Sequence, residues 1–231
     1  MAACWPLANG SRAAGRRPLS VRLAKFPEPP PPTDLAARVI ADIKTIPAGT
    51  TLWRVYFRGG SHPMAWNQFR SHGPMPSGRF DHHGGQPNDP RRAILYAAVE
   101  GPTCFAEVFQ VARVINRHRR DPWMAGFCTT AALDLLDLTG NWPTRAGGSM
   151  AINTGPRPRA QRWARAIHAA YPAIHGILYP SSMDANRPAL ALFERALSAI
   201  PTHPRFNRAL AELPLLIPIS NAAARFGYAV V

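Results

Sequence analysis

Four separated polar residues carry the chemistry of this sequence: Arg54 in LWRVYF, Arg79 in SGRFD, Glu107 in CFAEVF and Ser181 in LYPSS. Each stands beside an apolar run, so each sits at the end of an element that a core can hold in place. A guanidinium is a planar fork that grips phosphate or carboxylate through parallel charge-assisted bonds. A carboxylate stabilises the positive charge that develops on a sugar carbon when its glycosidic bond breaks, or activates the group that attacks it. A serine freed by Pro180 at a strand end donates to a ribose or phosphate oxygen. Tyr96 in ILYAAV adds an aromatic face for stacking and a hydroxyl for a polar partner. Taken singly, each has a blander use: a solvated helix glutamate, a salt-bridged strand arginine, a core tyrosine, a turn serine. Only their joint order lifts them above it.

The elements that must position them follow from pattern. Thr33 or Asp34 caps a helix through LAARVIADI, with Leu35, Val39 and Ile43 at helical spacing. TLWRVYF at 51–57 is β-branched and aromatic and reads as the first strand, after the turn Pro47-Ala48-Gly49. Residues 58–92, rich in glycine, proline and histidine, form a long loop of the kind that binds or covers a ligand. AILYAAV at 93–99 is a buried strand, and Thr103 caps a helix through CFAEVFQVARVI with Phe105, Val108, Phe109 and Ala112 on its core face. Glu107 falls off that stripe and faces away from the main core.

Strands are further expected at 123–130, 132–138 and 174–180, with candidates at 189–197, 214–219 and 226–231. The stretch 140–158 reads as a loop before the helix RAQRWARAIHAAY. Helices and strands alternate without a regular βαβ rhythm, so the expected class is α+β, a mixed, mostly antiparallel sheet with flanking helices.

At 231 residues the chain fits one domain and a tail. Residues 1–32, with five basic groups and the run PEPPPP, read as a basic, proline-rich disordered arm; residues 33–231 read as a single domain. The arm lacks the apolar stretch of a secretory signal, and no run reaches the ~18 apolar residues of a membrane helix, so a cytoplasmic chain with no membrane partner is expected. The net charge is +14, and only Lys25 and Lys44 are lysines, so the excess is arginine and favours phosphate-bearing or acidic partners. Cys4, Cys104 and Cys128 show no paired spacing and read as core thiols. His62, His72, His82 and His83 lack the spacing of a metal site and read as a polar loop, with no metal expected. No GxGxxG or GxxxxGK[ST] follows a strand, which disfavours a Rossmann-type site.

Together LWRVYF, GRFD, ILYAAVEGPTCFAEVF, LDLLDLTG and GILYPSS occur in the order and approximate spacing of the RES domain family, which this chain resembles from residue 50 to about 197. The resemblance implies an ADP-ribosyltransferase-like fold and a toxin of a bacterial toxin–antitoxin pair. It implies action on NAD+, split with phosphate or water as acceptor or used to transfer ADP-ribose to a protein. NAD+ is then a substrate, inorganic phosphate a co-substrate, and no resident cofactor is needed. The implied partner is an Xre-like helix-turn-helix antitoxin that covers the active site, with nucleic acid met only through it, and the implied assembly is a homodimer. Residue by residue, Arg54, Arg79, Tyr96, Glu107 and Ser181 match the family's functional positions. The chain departs from the family where Phe80-Asp81 replace a common Trp-Asn, and where Met183 replaces a common basic residue.

In that reading Arg54 and Arg79 hold the pyrophosphate, Tyr96 stacks on nicotinamide, Glu107 supports bond cleavage and Ser181 completes the pocket. Nicotinamide leaves as a neutral molecule, so no second catalytic carboxylate is required. Two other classes compete. A nucleic-acid binder is favoured by net charge and the stretch Arg113 to Arg120, but no binding motif accompanies them. A RES-like module that only binds protein is disfavoured by the retained Arg, Tyr, Glu and Ser.

Overall fold

A computed structural model describes residues 25–84, 86 and 88–231. In chain order it contains α1 (Pro32–Arg38), β1 (Ile43–Ile46), β2 (Thr51–Phe57), β3 (Ile94–Ala98), α2 (Gly101–Phe109), β4 (Val114–Ile115), β5 (Pro122–Cys128) and β6 (Leu133–Asp137). There follow α3 (Trp142–Arg145), α4 (Ala151–Thr154), α5 (Arg157–Ala170), β7 (Gly176–Pro180), β8 (Pro188–Phe193), β9 (Phe206–Ala209), α6 (Leu216–Phe226) and β10 (Ala229–Val230). The main sheet has the order β1-β6-β7-β8-β3-β2-β5-β9, and β4 and β10 form a separate pair. Within the main sheet only β6 and β7 run parallel; every other pairing is antiparallel. This is the mixed, mostly antiparallel α+β architecture expected from the pattern.

Strand alternation divides the core between two faces. On β8, Ala189, Ala191 and Phe193 join Trp142, Trp163 and Ile167 beneath α3 and α5, while Leu190 and Leu192 join Leu52, Phe127 and Leu135 on the other side. A third cluster seats α2 and α6 through Phe105, Phe109, Ile219 and Ala223. A buried aliphatic or aromatic side chain contributes about 1.5–3 kcal/mol, so these clusters fix where α2 and α5 stand.

One irregularity opens a cleft in the sheet. β2 runs beside β5 from Thr51↔Cys128 to Phe57↔Pro122, yet it meets β3 at Trp53↔Ala98 alone. Beyond that point the two strands part, and the connecting segment enters the gap. Arg70 bridges Ile94 through paired backbone bonds of 2.8 and 3.0 Å, taking the place β2 has left. The sheet is thus open between Arg54 and Tyr96.

Several expectations are corrected. The first helix starts at Pro32 and ends at Arg38 with no side-chain cap, and Ile43 opens β1. Its hydrophobic spacing is shared between a short helix and an edge strand paired to β6. Thr103 does not cap α2, which starts two residues earlier after Glu100; Thr103 is buried and donates to Asp184 Oδ2 at 2.7 Å. Val108 is 39% exposed rather than in the core, because α2 stops at Phe109 and its stripe narrows to Cys104, Phe105 and Phe109. Residues 140–158 carry α3 and α4, and 216–226 form a helix where a strand was expected. Of the basic arm, residues 1–24 lie outside the described residues. Its end is packed: Phe26 is buried, stacked with Trp163, and Glu28 bridges Arg159 and Arg162.

Candidate functional site

The parted strands enclose a cleft of about 420 Å³ lined by Arg54, Arg79, Tyr96 and Glu107 among others. Four of the five residues singled out in the sequence therefore face one space. The fifth, Ser181, is fully buried behind it, and the exposed Ser182 reaches the cleft instead.

Glu107 is placed by α2, whose opposite face is locked into the core by Cys104, Phe105 and Phe109. Ser181 follows β7 directly. Its backbone closes a turn with Arg187 O at 2.9 Å and Asn186 N at 3.0 Å, and Asp184 ties that turn to α2 through Thr103 and to α6 through Arg225. The outcome is a hydrogen bond of 2.5 Å from Ser181 Oγ to Glu107 Oε1. Burial pushes the Glu107 carboxyl above its ordinary 4.5, while the Ser181 bond and the charges of Arg79 and Arg157 oppose the rise.

Arg54 is 6% exposed and spends Nη1 on two loop carbonyls, Trp66 O at 2.8 Å and Gln68 O at 2.9 Å. Its burial lowers the guanidinium to about 10. Its Nε and Nη2 have no hydrogen-bond partner among the described residues, so Arg54 clamps the 58–92 segment and keeps donors for a ligand. Arg79 donates Nη1 to Gly155 O at 2.7 Å. Burial and the neighbouring Arg157 lower it, and Glu107 opposes them.

Asp81, which the sequence reading did not single out, organises this wall. It is fully buried and takes both oxygens to Arg70 Nη2 at 2.7 Å, accepts from Met75 N at 2.7 Å and accepts the Tyr96 hydroxyl at 2.9 Å. The Tyr96 oxygen in turn accepts from Phe80 N at 3.0 Å. Burial and the Asp81 charge raise the Tyr96 hydroxyl well above 10, so it stays a donor. Gly78 is required here, because a Cβ would lie 2.1 Å from Asp81 Oδ1. Gln161 on α5 caps the same turn through Met75 O and Gly78 O, both at 2.8 Å.

Arg157, at the start of α5, also lines the cleft and was missed. Its signal was faint: an arginine in a proline-rich stretch has no pattern of its own. Nη2 donates to Gln110 Oε1 at 2.8 Å, and Gln110 Nε2 donates to Glu107 O at 2.6 Å, which couples the end of α2 to the start of α5.

The histidine-rich loop is not uniformly polar as expected. His82 and His83 are buried, and Nε2 of His82 and of His168 meet opposite oxygens of Glu194 at 3.0 and 2.7 Å. Ligand-type atoms of these three lie within 4.8 Å of one another. Arg92 Nη1 stands 3.0 Å from His168 Nδ1 and can only donate, so Nε2 of His168 carries the proton it gives to Glu194. That arrangement is a carboxylate held between two imidazoles.

The family model of the RES domain matches residues 51–215. This chain belongs to the RES domain family. A similar fold is found in a chain of the Mycobacterium tuberculosis MbcT-MbcA toxin-antitoxin complex: it is 18% identical, superposes with a TM-score of 0.50, and the match covers 77% of this chain and 90% of that one. At this identity the likeness is one of fold. Curated proteins yield no sequence match. Both the β2–β3 opening and the α2 glutamate fall inside the RES match, whereas α1 and the whole of α6 fall outside it.

Proposed function

We propose that this RES domain protein consumes NAD+, breaking the nicotinamide–ribose bond with phosphate or water as acceptor, or passing ADP-ribose to a protein. The observation that carries the reading is the cleft itself: one half-buried carboxylate, Glu107, set among Arg54, Arg79 and Tyr96 at the opening of the sheet. Nicotinamide departs with the bonding electron pair as a neutral molecule, and the ribose carbon becomes oxocarbenium-like. Ionised Glu107 stabilises that carbon and takes the proton of an attacking water or phosphate. The free donors of Arg54 and Arg79 hold the pyrophosphate, and Tyr96 packs against the nicotinamide end. NAD+ is substrate here, and the chemistry calls for no resident cofactor or metal.

The partner in this reading is an Xre-like antitoxin that covers the cleft. Its rim supports this: Val111 is 84% exposed and Val108 partly so, both beside the opening. The partner named with the solved neighbour is likewise an antitoxin. Nucleic acid enters only through it, and a homodimer is the proposed assembly. No helix among the described residues is long and apolar enough to cross a membrane; a cytoplasmic site of action is part of the proposal. Incubating the purified chain with NAD+, with and without phosphate, and separating the products tests the reading. Loss of NAD+ with release of nicotinamide supports it; intact NAD+ under every condition rejects it.

A further inference from the structure

We propose that Asn153 and Arg157, which flank the Gly155-Pro156 hinge between α4 and α5, form with Arg79 a subsite for inorganic phosphate. This rests on the NAD+-consuming reading only for the use made of the phosphate; binding itself does not depend on it.

Three observations converge on the hinge. Arg157 lines the cleft, is held by one bond to Gln110, and leaves Nε buried with no partner. Asn153 is 3% exposed and lines the same cleft; its Nδ2 donates to Leu138 O at 3.2 Å, which fixes the amide orientation and leaves Oδ1 buried without a partner. Between them Gly155 O receives Arg79, so the second guanidinium is docked on the same hinge. Gly155 admits this close turn because a Cβ would lie 2.7 Å from Ala151 O.

The orphaned groups specify a ligand. Buried polar atoms without partners are rare in folded proteins, and an opposed donor and acceptor call for a ligand that supplies both. Two guanidinia beside one carboxylate leave an excess positive charge, which selects an oxyanion. The Asn153 carbonyl selects one that can also donate. Orthophosphate near neutral pH keeps at least one P–OH, whereas sulfate and the pyrophosphate of NAD+ have none. Phosphate is therefore favoured over both. In turnover the step balances: a phosphate oxygen forms the bond to the ribose carbon, nicotinamide leaves with its electron pair, and any proton on the attacking oxygen passes to Glu107.

The test measures binding of inorganic phosphate to the full chain by calorimetry, with sulfate at equal ionic strength as the comparison, alone and beside NAD+. Wild type is expected to prefer phosphate. Arg157→Gln weakens it roughly tenfold to hundredfold, the loss of a charge-assisted hydrogen bond. Arg157→Lys recovers part of the affinity, and Asn153→Ala narrows the phosphate-to-sulfate ratio. Arg165→Gln, on the same helix but outside the cleft, leaves binding unchanged. Equal affinity for the two anions, no phosphate binding with or without NAD+, or the same loss in Arg165→Gln as in Arg157→Gln overturns the subsite. A rise in the KM for NAD+ instead of phosphate also overturns it. Phosphate binding with intact NAD+ sustains the subsite and rejects the enzymatic reading, so the two failures are distinguishable.

Discussion

Ser181 Oγ donates to Glu107 Oε1 at 2.5 Å, joining the end of β7 to the face of α2 across 74 positions of sequence. The bond orients one carboxylate oxygen and leaves the other for the cleft. It also favours the ionised form in a site where burial disfavours it.

Glu107→Gln keeps the shape and still accepts from Ser181, but carries no charge and takes no proton. NAD+ turnover is expected to fall on the order of 10²–10⁴-fold with the melting temperature little changed or raised, since a buried charge is removed. Full turnover in a folded variant would remove Glu107 from the mechanism.

The pH profile follows from the direction of the Glu107 shift. The carboxyl must be ionised to act, and burial raises its value above 4.5, so the acid limb of kcat/KM lies above the ordinary glutamate range. Ser181 lowers that value, so Ser181→Ala moves the limb to still higher pH. Arg157→Gln moves it in the same direction through the lost positive charge. A limb that moves to lower pH in Ser181→Ala contradicts the assignment.

Arg54 has a structural cost that a ligand-only role would not show. Removing its guanidinium strands the buried carbonyl of Trp66 and the partly buried carbonyl of Gln68. Arg54→Leu is expected to lose about 2–4 kcal/mol in urea unfolding, since an unsatisfied buried group costs about 1–3 kcal/mol. Limited proteolysis should cut faster within 58–84. A lysine, one point charge in place of a fork, recovers only part of this.

Asp81 separates the charge of the wall from its shape. Asp81→Ala leaves the Arg70 charge and the Tyr96 hydroxyl without their partner, a loss of about 3–5 kcal/mol for a broken buried pair. Asp81→Asn still accepts from Tyr96 and costs less. Equal destabilisation by both variants would show that charge pairing with Arg70 carries the whole effect.

The imidazole pair on Glu194 is expected to contribute to acid stability. Burial depresses His82 to about 4 from 6.5, so the unfolded chain takes the proton first. Its contribution is whole above pH 6.5 and is lost as pH falls through about 4. For Glu194 burial acts upward, but His168 and His82 together bring it to about 2 from 4.5, so its contribution fades between those values. The melting temperature should therefore decline below pH 6.5 before ordinary carboxylates titrate. His82→Gln should flatten the upper part of that decline.

Much of this was legible in the sequence because local pattern and long-range packing agree there. β2, β3, β5 and β6 are β-branched or leucine-rich runs that stand where alternation puts them. Arg54 and Tyr96 could be read because they lie within such runs, and Glu107 because it sits on the helix that follows one; Arg79, in the long loop, could be read only from its order among the strings shared with the RES family. α6 was not legible: PLLIPI is apolar enough for a buried strand, and only its packing on α2 makes it a helix. Asp81 and Arg157 were not legible for another reason. Their importance comes from partners 11 to 47 positions away, and no local spacing announces a buried carboxylate under a tyrosine or a glutamine holding an arginine.

The central claim is that the opening between β2 and β3 is an NAD+-cleaving site built on Glu107. Quantifying nicotinamide released from NAD+ by the wild-type chain and by Glu107→Gln, side by side and at equal folded concentration, tests it most directly. The account predicts steady release by the wild type, and a loss on the order of 10²-fold or more in the variant. Equal release by both, or none from the wild type, contradicts it.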